Sequence, residues 1–204
     1  MSPTQHLVIM AKAPRVGRVK TRLAHDIGVH KAWSFYRHNL NSLVNSLANS
    51  SGWKTWLSVS PNKSVFENHV WPTGVQRICQ GLGGLGQRMD KIMQQMPIGP
   101  TIIIGSDIPE IHSSYITDAF QLLGHKDAVI GPAQDGGYWL IGQRRRPKTI
   151  PLFANVRWSS PHALADTLLN IPHLASIGYV AELSDIDDGT SYQTFIQQQC
   201  SHRP

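Results

Sequence analysis

Leu7–Ala11 (LVIMA) is an unbroken apolar run, and Thr101–Gly105 (TIIIG) repeats the pattern far along the chain. A strand with one wet face alternates apolar and polar side chains. An unbroken run needs cover on both faces, as the central strands of a parallel sheet have. Between such runs lie helical patterns: Trp33, Tyr36, Leu40, Leu43, Val44 and Leu47 recur at helical spacing and make one apolar face. Further strands are expected over Trp53–Ser60, Val75–Cys79, Ala128–Gly131, Tyr138–Gly142 and near Ser176–Val180. Helices are expected over Gln87–Met96, Ser113–Leu123, His162–Leu169 and beyond Gly189. This alternation predicts an α/β fold, a mostly parallel central sheet with helices on both faces. The 204 residues suit one domain, 1–204. A chain of this length buries roughly 70% of its unfolded surface, so its core needs no metal or disulfide staple.

Ligands of such sheets bind beyond the carboxyl ends of the strands. Four unusual loops fall there: 12–22, 80–88, 106–109 and 132–137. The first carries Lys12, Arg15, Arg18, Lys20 and Arg22 around Pro14 and Gly17. The net charge of +6 and pI near 9.6 are concentrated here and in Arg144–Arg146 with Lys148. No RNP-type aromatic pattern, zinc-finger spacing or long basic helix accompanies them, so nucleotide or phosphate is expected rather than nucleic acid. Gly17, Lys20 and Thr21 are P-loop-like, but Val19 replaces the required glycine. A phosphate cradle needs backbone N–H groups and cations, which Lys20 and Arg22 supply if they straddle a loop–helix junction. The competing reading is a solvated basic loop, whose charges are well screened.

Asp107 ends an apolar strand in GSDIP. A lone carboxylate at a sheet edge can hold Mg²⁺ beside substrate phosphates. It can equally cap the next helix, although His112–Ser114 stand nearer that helix. Asp135-Gly136-Gly137 leaves the backbone open to close ligand approach, yet Asp-Gly is also the strongest short hairpin signal, and alone favours a plain turn. Gly81, Gly83 and Gly86 satisfy GxGxxG, a dinucleotide-binding signature. Gln76 and Arg77 in the preceding strand are unlike the buried first strand such a fold needs.

Cys79 and Cys200 cannot make a disulfide framework, and the chain reads as cytoplasmic. The pattern shows no signal peptide, no apolar stretch near the ~20 residues of a membrane span and, among ten histidines, no zinc-ligand spacing.

Taken in order, AKAPRVGRVKTRL, QGLGGLGQRM, GSDIP, GPAQDGGYWLIG and LFANVRWSS resemble a bacterial family, the rSAM/selenodomain-associated transferase 1 group. That group is glycosyltransferase-like and belongs to the nucleotide-diphospho-sugar transferase superfamily, whose fold is GT-A. The match spans nearly the whole chain, with the molybdenum-cofactor and phospholactate guanylyltransferases as more distant likenesses. The resemblance implies that Ala11, Lys12, Gly17, Lys20 and Arg22 meet the nucleotide and its phosphates. It implies that Gln80 and Gly86 lie near the base or sugar, that Asp107 binds the metal, and that Asp135 is a second metal ligand or a base. The sequence departs from the family in three places: SDI offers one acid, Val16 stands where Pro is usual, and Ser191 replaces the last acid of the Asp-x-Asp-Thr-x-x-Asp pattern. Roles for Asp185 and Asp187 are therefore not carried over.

The expected activity is transfer of a sugar from a nucleotide-diphosphate donor to an unknown acceptor. A divalent ion, Mg²⁺ or Mn²⁺, would assist, with Lys20 and Arg22 neutralising the departing diphosphate and Asp135 deprotonating the acceptor. Nucleotidyl transfer, in which a phosphorylated substrate attacks an NTP and pyrophosphate leaves, is the close alternative. An NAD-dependent oxidoreductase and a non-catalytic nucleotide- or RNA-binding module are the rivals from other classes. Small-molecule partners are expected, without membrane or nucleic acid.

Overall fold

The computed structural model describes residues 3–48, 52–145 and 148–201. In chain order the elements are β1 His6–Lys12, α1 Thr21–Ile27, α2 Val29–Ala48, β2 Lys54–Ser60, a 3₁₀ turn Asn62–Phe66, β3 Gln76–Cys79 and α3 Leu85–Gln95. They continue as β4 Thr101–Ile104, α4 Ser113–Leu123, β5 Ala128–Pro132, β6 Tyr138–Gln143, α5 Ala163–Leu169, β7 Ile177–Tyr179 and α6 Gly189–Ser201.

One sheet of seven strands runs β3-β2-β1-β4-β6-β5-β7. β1 pairs in parallel with both β2 and β4, so the strand order reverses at β1. Only β6 runs against the rest, antiparallel to β4 and β5. The β5–β6 connection is thus a hairpin, the turn that Asp-Gly favours.

The apolar run in β1 has the predicted cause. Leu7 and Ile9 point into a cluster with Leu40, Leu43, Ile102 and Phe120 under α2 and α4. Val8 points the other way, into a cluster with Met89, Ile92, Ile103 and Ile141 under α3. Successive side chains on a strand face opposite sides, so a sheet covered on both faces takes mostly apolar residues along its central strands, and the polar ones there, such as His6 and Thr101, are buried as well. A third, smaller cluster of Leu23, Ala32 and Ile186, joined by Phe35, Tyr192 and Phe195, docks the C-terminal helix against α1 and α2. With helices on both faces of a mostly parallel sheet, the fold is α/β, as the alternation of strands and helices predicts.

Candidate functional site

The carboxyl ends of β1, β2, β3 and β4 open into a cleft of about 770 Å³. Its wall includes Ala11, Lys12, Arg18, Lys20, Arg22, Gln80, Asp107 and Asp135. Ligand clefts of α/β sheets form where strand order reverses, which here is at β1.

The basic loop reaches this cleft because hydrophobic and aromatic anchors fold it back. Val19 is buried, and the Trp33 indole N–H donates to the Pro14 carbonyl at 2.6 Å. Gly17, at φ +72, takes a left-handed turn that other residues adopt only at a cost. Lys20, at φ 46 and ψ 48, begins α1. Its side chain, 5% exposed, points back between two carboxylates: Asp187 Oδ1 at 2.7 Å and Asp107 Oδ1 at 3.3 Å. Arg22 stands outside this pair, 79% exposed, 3.8 Å from Asp187 Oδ2. Arg15 is diverted elsewhere and grips both oxygens of Glu67.

Two side chains of α2, three residues apart on one face, fasten the first loop to the fourth-strand loop. The Tyr36 hydroxyl donates to the Lys12 carbonyl and accepts from the Lys12 N–H, each at 2.9 Å, and stands 3.3 Å from Ser106 Oγ. The Asn39 amide donates to the Ser106 carbonyl at 2.9 Å. Asp107 is held in the cleft by this arrangement and does not cap α4, whose N-cap is His112.

Asp185 and Asp187 enter the cleft from either side of Ile186, which is buried in the third apolar cluster. Burial and the neighbouring Asp187 push the Asp185 carboxyl up to about 6, with Lys20 pulling the other way. Burial would lower the Lys20 ammonium, but Asp107 and Asp187 outweigh it and the net shift is upward. The short polar–apolar–polar stretch Asp185-Ile186-Asp187 was the available sequence signal; which helix would bury Ile186 was not legible there.

Asp135 lies in the same cleft, in the β5–β6 turn. One oxygen, Oδ1, accepts from the Gly137 N–H at 2.9 Å and holds the turn. Hairpin turn and cleft residue are therefore both true of it. Gly136, at φ +81, lies so close to Pro161 that an added Cβ would meet the Pro161 carbonyl at 2.4 Å.

The other residues singled out from the sequence are placed as follows. Gly17 and Gly86 do not line the cleft. Gly17 shapes the turn, and Gly86 lets α3 lie against Trp158, whose ring would stand 2.9 Å from a Cβ there. Gln80 lines the cleft but spends both amide N–H groups on the Ala11 and Ser58 carbonyls. The second basic cluster is remote from the site. β6 ends opposite the starts of β4 and β5, and Arg145 there bonds the carbonyls of Gln94 and Met96 at the end of α3. Arg146 lies outside the described residues. The GxGxxG stretch follows β3, an edge strand, so it sits away from the reversal point a dinucleotide fold uses. Arg88, Trp158, Ser159 and Ser160 line the cleft without having been singled out from sequence.

Among the described residues, no group of three or more His, Cys, Asp or Glu side chains is arranged to hold a metal ion. Asp107 and Asp187 nevertheless fit one hard cation. Each gives only its Oδ1 to the Lys20 ammonium and stays about half exposed, and Mg²⁺ commonly takes one or two carboxylates with water and phosphate oxygens completing its shell.

Residues 43–160 match the family model described as "Uncharacterized protein conserved in bacteria (DUF2064)". The chain belongs to the DUF2064 family. No curated protein sequence matches this DUF2064 member. Among solved structures it is similar to a Desulfovibrio desulfuricans G20 protein named a "putative nucleotide-diphospho-sugar transferase", with 26% identity and TM-score 0.90. That match covers 99% of this chain and 90% of that one. Two more distant structures share the fold. The 4-diphosphocytidyl-2C-methyl-D-erythritol synthase of Anaerococcus prevotii DSM 20548 has 7% identity, TM-score 0.61 and coverage of 95% and 98%. Glucosyl-3-phosphoglycerate synthase of Mycobacterium tuberculosis, solved with Mn²⁺, UDP and glucosyl-3-phosphoglycerate, has 10% identity, TM-score 0.60 and coverage of 96% and 76%.

Proposed function

We propose that this chain is a metal-assisted transferase using a nucleotide-diphosphate-activated donor, and that its reaction is glycosyl transfer from a nucleotide sugar. The observation that carries the reading is the Lys20 ammonium set between Asp107 and Asp187, with Arg22 beside it. Fixed cations and carboxylates meet there at one point of the cleft, as binding a diphosphate together with a divalent ion requires. The likeness to a nucleotide-diphospho-sugar transferase supports the same reading. So does the motif order, which points to the rSAM/selenodomain-associated transferase 1 group within the superfamily.

Asp107 and Asp187 would hold Mg²⁺ or Mn²⁺, whose chemistry here is to neutralise charge on the diphosphate. Lys20 and Arg22 add fixed positive charge as the bond from the sugar carbon to the diphosphate oxygen breaks. The acceptor oxygen forms the new bond to that carbon, and its proton passes to Asp135. Ala11 and Lys12 flank the nucleotide. The chain works as one cytoplasmic domain on small molecules. Nucleic acid fits poorly, because Arg15 is tied to Glu67 and Arg144–Arg145 lie at the opposite end of the strands.

Nucleotidyl transfer is the second reading, supported by the diphosphocytidyl synthase that shares the fold. Incubation with Mg²⁺ and a panel of nucleotide sugars or NTPs separates the two. Release of nucleoside diphosphate supports the first, pyrophosphate the second, and neither product with any donor refutes both.

A further inference from the structure

We propose that Arg88 reads the nucleobase, and that the base is one presenting two adjacent hydrogen-bond acceptors, guanine or cytosine. This rests on the nucleotide reading above and specifies its substrate. The argument starts at Gln80, which follows β3 and is 4% exposed. Its backbone N–H donates to the Val59 carbonyl at 3.1 Å. Its side-chain Nε2 donates to the Ala11 carbonyl at 3.2 Å and the Ser58 carbonyl at 3.0 Å. A side-chain amide has only two N–H groups, so Gln80 has none left for a ligand. Its carbonyl Oε1 accepts from Arg88 Nη1 at 2.9 Å. A buried, fully engaged amide thus serves as a bracket for a guanidinium.

Arg88 is held at a second point, where Nε meets the Gly84 carbonyl at 3.4 Å. Its Nη2 is engaged by neither contact, and the residue lines the cleft, whose wall also holds Leu85, Met89 and Met10. A planar group held edge-on, with spare N–H bonds next to apolar side chains, suits a flat heterocycle that needs reading at its rim. The carboxylates of the cleft come from the segments after β4, β5 and β7. At this end the charged side chains of the wall, Arg88 and Lys12, are donors.

Donors alone discriminate between bases. Guanine offers O6 and N7 side by side, the pair that arginine engages with two parallel bonds, and cytosine offers O2 and N3 side by side. Adenine sets its amino group next to N7 and next to N1, and uracil sets N3–H between its two carbonyls. For those two, a donor meets a donor and one group stays unpaired. Discrimination on the order of tenfold to a hundredfold follows from one such paired contact. Arg88 is the specificity-determining residue and Gln80 its positioning residue.

Calorimetric titration of the full chain with GDP, CDP, ADP and UDP in Mg²⁺ tests this. GDP or CDP is expected to bind at least about tenfold tighter than ADP and UDP, and the better of the two tells a purine slot from a pyrimidine slot. Arg88→Ala is expected to shrink the ratio below about threefold, most of the loss falling on the favoured nucleotide, with Arg88→Lys failing to restore it. Gln80→Leu is expected to narrow the ratio as well, a change that a purely structural role would not produce. Circular dichroism of each variant establishes that it is folded. Equal binding of all four, a preference for ADP or UDP, or a uniform loss on all four in Arg88→Ala overturns the inference while leaving the transferase reading intact. Failure of every nucleotide to bind overturns both.

Discussion

Tyr36 illustrates how one side chain can do two jobs. Its ring belongs to the apolar face that the helical spacing reveals, while its hydroxyl joins Lys12 to Ser106 across the cleft floor. Burial, with Asp107 adding, pushes the phenol well above its ordinary range, so it stays a neutral donor. Tyr36→Phe is expected to cost about 1–2 kcal/mol in urea unfolding, the order of one buried hydrogen-bonding group, and to weaken nucleotide binding. Asp185 tests the electrostatics. Its carboxyl is raised from 3.8 to about 6, so the folded state holds a proton that the unfolded state has lost. Stability therefore falls as pH climbs through that window, and the loss is complete above it. Asp185→Asn is expected to raise the thermal midpoint of the metal-free protein at pH 8 and to leave it unchanged below pH 4.

At the scale of elements, the start of α3 and the loop after β6 depend on one another. Gly86 is buried against Trp158 and the Phe153 carbonyl, so an added methyl would lie 2.9 Å from the ring and 3.0 Å from that oxygen. The loop has little room to yield. Arg157 and Asp166 share two side-chain bonds and a backbone bond at its C-terminal end. Gly86→Ala is expected to destabilise by about 1–3 kcal/mol, the range for overpacking, and to shift tryptophan fluorescence as Trp158 moves. Read along the sequence, Gly86 counts as the last glycine of GxGxxG. Its purpose is visible only when Trp158, 72 positions away, is seen on top of it.

For the whole molecule, the decisive feature is the return of the C-terminal segment to the first loop. Ile186, 5% exposed, packs with Leu23 and Ala32, and the Gly189 N–H donates to Asp26 at 2.6 Å. This docking puts Asp187 on Lys20, across 167 positions of sequence. Ile186→Ala is expected to cost about 2–4 kcal/mol and to reduce Mn²⁺ binding, measurable by electron paramagnetic resonance, without touching either carboxylate. By itself the sequence determined the layered sheet, because apolar runs and helical spacing are local patterns that burial on two faces demands. It also determined that the special loops would sit at strand ends. Tertiary structure alone decided which charges face one another: Arg15 leaves for Glu67, Lys20 turns inward, Gln80 becomes a bracket for Arg88, and Asp187 arrives from the far end. Coulomb and hydrogen-bond energies depend on separations of a few ångströms, and chain order does not set those between residues remote in sequence.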